Sequence, residues 1–119
     1  MEVIKVADKI EHSIKLLGIC RGELKTRAKK KAETMADYDK TIAITLVKLR
    51  ENVEIAFEGY RIKGLPISIM EKIAKGMCHQ EKLAMEVAIA DYGNAISGLK
   101  SIEAELNGWQ SIYRHLEER

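Results

Sequence analysis

The chain has 119 residues and a mass of 13.4 kDa, the size of one domain with a single core. At 46% hydrophobic and 32% charged residues it is neither disordered nor membrane-spanning, and 5% aromatics with a single proline exclude a β-sandwich and favour helices. The net charge of +2 is too small to demand a nucleic-acid partner, but its distribution is uneven along the chain.

The first element reads as a helix over about residues 2–50. Val3, Ala7, Ile10, Ile14, Leu17, Cys20, Leu24, Ala28, Ala32, Met35, Tyr38, Ile42, Leu46 and Leu49 recur at steps of three or four, a stripe of heptad-like character. Gly18 and Gly22 interrupt it at about 1 kcal/mol each against Ala, and read as a bend or as a close approach to another backbone. Nine bases and four acids fall within residues 1–31, giving +5, whereas residues 32–60 carry −3. A basic section of this kind meets an acidic section of a partner chain or an anion, or is simply a solvated helix face.

Residues 51–67 read as a connection. Val53, Ile55 and Phe57 alternate with Glu54, Ala56 and Glu58, a period of two that marks a short β-ribbon somewhere within residues 42–62. Leu46, Leu49, Val53 and Phe57 also continue the helical stripe, so helix and ribbon both stay open there. Gly59, Gly64 and Pro66 form the clearest break in the chain.

A second helix is predicted over about residues 68–117. Ser68 and Glu71 have capping-box spacing at its start. Ile69, Ile73, Met77, Leu83, Val87, Ala95, Ile102, Leu106, Trp109, Tyr113 and Leu116 supply its apolar stripe. The fold class is therefore all-α, a long antiparallel helical hairpin forming one domain over 1–119. Two helices of about 50 residues, each about 75 Å long, leave apolar flanks that one hairpin cannot cover. Assembly into a homo-oligomeric bundle follows.

No catalytic set is legible. Positions 9, 76 and 112, three residues before the histidines, are Lys, Gly and Ile, so the Glu-x-x-His pattern of di-iron bundles is absent. Cys20 and Cys78 stand singly, which gives no zinc knuckle or redox pair; one disulfide is arithmetically possible, and buried free thiols are the preferred reading. No phosphate-binding loop, nucleophile elbow or metalloprotease motif occurs. The reading is a non-enzyme with no metal and no cofactor. The chain reads without a signal peptide or a membrane span, hence as cytoplasmic.

Two polar clusters stand out as binding candidates. Trp109, Gln110, Tyr113 and Arg114 fall within two helical turns, with ring faces suited to a base and a guanidinium suited to a phosphate; the plain alternative is core anchoring at a bundle end. Lys63 and Lys72, with Arg61 and Ser68, flank the start of the second helix, where free amides and the dipole favour an anion; plain capping is the alternative there.

The stretches Met70–Gly76 and Leu106–Leu116, together with the opening Met1–Ile10, make the chain resemble a family of short helical proteins from phages and prophages of Gram-positive bacteria. That resemblance implies an early phage gene acting in recombination or in countering host defence, inside the host cytoplasm, and implies no enzyme. The first expectation is a small oligomer that sequesters a host nucleotide signal or blocks a host defence protein. The second is a DNA-recombination accessory that touches nucleic acid or a recombinase through Arg21–Lys31. A structural phage scaffold component is the third.

Overall fold

A computed structural model describes residues 2–118. The elements are α1 (Glu2–Arg50), β1 (Ile55–Phe57), β2 (Tyr60–Ile62), α2 (Ile67–Met77) and α3 (His79–Glu117), so the fold is all-α apart from one short antiparallel ribbon. Contacts divide the chain into two compact units, Met1–Lys29 with Ala90–Arg119, and Lys30–Ile89.

In the first unit α1 and α3 run antiparallel: Val6 and Lys9 share a hollow with Trp109 and Leu116, and Cys20 and Arg27 share one with Asp91 and Gly98. The α1 side of this seam is Val6, Ile10, Ser13, Leu17, Cys20 and Leu24. The α3 side is Tyr92, Ala95, Leu99, Ile102, Leu106, Trp109, Tyr113 and Leu116. Both sets alternate steps of four and three, the spacing of knobs-into-holes packing. The apolar stripe expected on α1 is thus only partly the inward one. Val3, Ala7, Ile14, Ala32 and Met35 are exposed, while Ser13 and Thr34 are buried. Thr34 Oγ1 satisfies its donor on the carbonyls of Lys30 and Lys31, at 2.9 and 3.0 Å, so a hydroxyl is tolerated where periodicity alone favours Leu.

The second unit has its core in Leu49, Met70 and Ala74, with Leu46, Ile55, Ile62, Leu65 and Ile73 packed around them. Helix α1 ends because Asn52 takes a left-handed conformation at φ 60°. The Val53 amide then donates to the Lys48 carbonyl and the Asn52 amide to the Leu49 carbonyl, a Schellman motif. Asn52 Oδ1 also accepts the Gly64 amide at 2.7 Å, which ties the far side of the ribbon to the helix end. In the ribbon Ile55 pairs with Ile62 and Phe57 with Tyr60. Glu58 and Gly59 make the turn with positive φ at both positions, 50° and 80°, as a two-residue hairpin of type I′ requires. The strand reading therefore holds only from Ile55; the β-branched Ile42, Ile44 and Val47 remain helical.

Three local expectations are corrected. Ser68 is not the cap of α2: the N-cap is Pro66, with no side-chain cap bond, and the helix starts at Ile67. Leu65 packs against the core cluster that contains Met70, an apolar staple that sets where the chain enters the helix, and Glu71 instead pairs with Lys75 at 3.2 Å. The helix expected over 68–117 is divided at Cys78, whose amide is shared between the carbonyls of Ala74 and Lys75. Cys78 is 1% exposed and its Sγ lies 3.6 Å from Thr45 Oγ1, so a buried anchor holds the break two residues after Gly76. The inward positions nevertheless keep their spacing across the break: Ala74, Cys78, Glu81, Met85 and Ala88 follow at steps of four and three and are buried or half-buried. Leu83 and Val87, expected inward, are exposed because Leu83 lies six residues after Met77, off that spacing. Finally, the α-helix is continuous through Gly18 and Gly22, and a Cβ at either would meet nothing within 4 Å, so neither serves a close approach inside the chain.

Candidate functional site

The last turns of α3 carry the candidate residues. Gln110, Tyr113 and Arg114 line an open hollow of about 550 Å³ with Ala7 and Ile10 of α1. The seam explains the arrangement. Tyr113 and Ile10 are seam residues, and Ala7, Gln110 and Arg114 lie on one side of it, so the floor is apolar and the rim polar. Trp109 is also a seam residue, but it borders a different hollow, of about 330 Å³, with Val6, Ile112 and Leu116 as walls and Lys5 and Lys9 at the edge. Its indole Nε1–H donates to Glu105 Oε1 at 3.4 Å. The i, i+4 pair Trp109–Tyr113 is therefore split between two hollows, and Arg114 accompanies the tyrosine.

Lys63 and Lys72 belong to the second unit, where both are exposed. Lys63 follows β2 and Lys72 lies on α2, while neighbouring Arg61 pairs with Glu54 at 3.6 Å. The two lysines are not among the residues that line the Tyr113 hollow.

The Glu117 carboxylate accepts a hydrogen bond from the Tyr113 hydroxyl and repels the phenolate, so the Tyr113 pKa lies above its ordinary value. Tyr113 is therefore a neutral ring and a donor throughout the physiological range. With Gln110 offering an amide and Arg114 a planar fork of donors, the hollow has the chemistry to hold a flat heterocycle carrying an anionic group.

Two features were not read from the sequence. Lys5 and Lys9 come beside Trp109 only because the helices are antiparallel. A polar hollow of about 280 Å³ between α1 and α3, lined by Cys20, Glu23, Arg27, Asp91, Asn94, Ala95 and Gly98, depends on the same register. The small residues Ala95 and Gly98 are the signal in the sequence that could have found it.

Among the described residues, no three His, Cys, Asp or Glu side chains gather as a metal site, and no helix is long and apolar enough to cross a membrane. The chain matches no protein-family model, no curated protein and no solved structure.

Proposed function

We propose that the chain is a non-enzymatic binding protein that works as a homo-oligomeric helical bundle, and that it captures a small phosphorylated nucleotide signal of a host cell, as a phage counter-defence protein would. The observation that supports this reading is the hollow where Tyr113, Gln110 and Arg114 converge over Ala7 and Ile10. In it the Tyr113 ring stacks on a base, the Gln110 amide meets a base edge, and Arg114 holds phosphate. Base stacking contributes about 1–3 kcal/mol, and each hydrogen bond to a charged group about 1.5–3 kcal/mol. Trp109 closes the neighbouring hollow and steadies the helix end rather than stacking on the same base.

Calorimetric titration of the full chain with cyclic dinucleotides, cyclic trinucleotides and ADP-ribose derivatives tests it. One class binds with submicromolar affinity, and Arg114→Ala weakens it by about ten-fold or more. No heat with any of them, together with unchanged counter-defence activity of Tyr113→Ala and Arg114→Ala in a phage infection assay, contradicts the nucleotide reading. The blocking of a host defence protein would then be the function to pursue.

A further inference from the structure

We infer that two copies of the chain pair antiparallel through the α1 face running from Ile4 to Ala28 by way of Ile14 and Gly18. This pairing forms a four-helix bundle in which the second copy completes the Tyr113 hollow. The inference rests on the oligomeric half of the proposed function and is independent of nucleotide binding.

The seam that holds α3 uses Val6, Ile10, Ser13, Leu17, Cys20 and Leu24. Moving each position on by one residue turns the face by about 100°, close to the angle between the two neighbours of a helix in a square four-helix bundle. The residues so reached are Ala7, Glu11, Ile14, Gly18, Arg21 and Lys25, with Ile4 and Ala28 extending the row. Within the chain most of this second seam is uncovered: Ile4 is 64% and Ile14 54% exposed, nothing lies within 4 Å of a Cβ placed at Gly18, and only Ala28 at its end is half-buried.

The row is complementary to its own reverse. In an antiparallel pair centred between Ile14 and Gly18, Ile14 faces Gly18 of the partner subunit and Ile4 faces Ala28 of the partner subunit. Each large side chain thus meets a small one. Glu11 faces the partner's Arg21, and two-fold symmetry makes that ion pair twice. Residues 2–29 hold seven bases and four acids and residues 90–118 two bases and five acids, so the +3 of each α1 segment is balanced by the −3 of the α3 segment packed on it.

Because Ala7 floors the Tyr113 hollow and faces the partner's Lys25 in this register, the second copy brings a cation to the edge of that hollow.

Charge reversal tests the face and the register together. In sedimentation velocity over a dilution series, Glu11→Arg and Arg21→Glu each weaken the dimer by roughly ten-fold. The double variant Glu11→Arg with Arg21→Glu returns to near the wild-type dissociation constant. Glu11 is 69% exposed at its side chain and Arg21 is exposed, so the helical circular dichroism of each single variant matches wild type. In a Cys20→Ser background, Ala7→Cys with Lys25→Cys gives a disulfide-linked dimer on mild oxidation, and neither alone does. A wild-type monomer overturns the inference. So does a dimer indifferent to the reversals, a double variant no better than the singles, or the absence of the crosslink.

Discussion

At Tyr113 the chemistry of the candidate site meets a measurable titration. The Glu117 carboxylate raises the phenol pKa, so the neutral ring is favoured below the ordinary tyrosine pKa, and that preference is lost as pH rises through the elevated value. Glu117→Gln removes the negative charge. The Tyr113 midpoint then falls towards the ordinary value, as ultraviolet titration compared with a Tyr113→Phe control reads directly. Gly93 gives a second test at this scale. It lies exposed inside α3, and an added Cβ meets nothing within 4 Å, so only its helix propensity matters. Gly93→Ala stabilises the chain by about 0.5–1 kcal/mol, read as an upward shift in Tm. Single residues were the least legible scale. Asn52 ends α1 through a local left-handed cap and also holds the Gly64 amide, and the second task was not legible because it depends on a ribbon that folds back twelve residues later. Ser68 carried the right letters for a cap and lost the position to Pro66, whose neighbour Leu65 is drawn into the core.

The elements were read far more securely. The bounds of α1 match its unbroken three-and-four spacing, and the ribbon matches the alternation of Ile55 and Phe57 with Ala56 and Glu58. What failed was the spacing of the second stripe. It steps six residues from Met77 to Leu83, whereas the inward positions Ala74, Cys78, Glu81, Met85 and Ala88 keep steps of four and three, so Leu83 and Val87 are exposed. The core cluster around the ribbon carries a firm stability expectation. Leu49 is 3% exposed among Met70, Ala74 and Ile62, and Leu49→Ala costs about 2–5 kcal/mol by chemical denaturation. The basic section of α1 carries a functional expectation. Its bases are interleaved with Glu11, Glu23 and seam residues, and two of them already pair along the helix: Lys15 with Glu11 at 3.7 Å and Arg27 with Glu23 at 3.4 Å. Neutralising about three or four phosphates gives weak and strongly salt-dependent association. Fluorescence anisotropy with random duplex DNA at about 0.15 M salt shows no submicromolar binding; tight binding there restores the recombination reading.

For the molecule as a whole, the sequence stripes predicted more apolar surface than one hairpin covers, and the residues bear this out in detail. The buried hydrophobic side chains are few, while Ile4, Ile14, Ile19, Ile44, Val47, Leu83 and Val87 all stand at least 46% exposed. Which of these faces matters was not legible, because the outward half of a seam is defined only once the inward half is placed. The site was legible as a cluster of unusual residues at the end of α3, but its division into a tyrosine hollow and a tryptophan hollow comes from the antiparallel register alone. Association is the central claim, since the proposed pairing would cover Ile4 and Ile14 and bring the partner's Lys25 to the hollow. Sedimentation equilibrium of the unmodified chain at micromolar concentration measures it most directly. A mass at least twice the 13.4 kDa of the chain is the predicted result, and a stable 13.4 kDa species would contradict it.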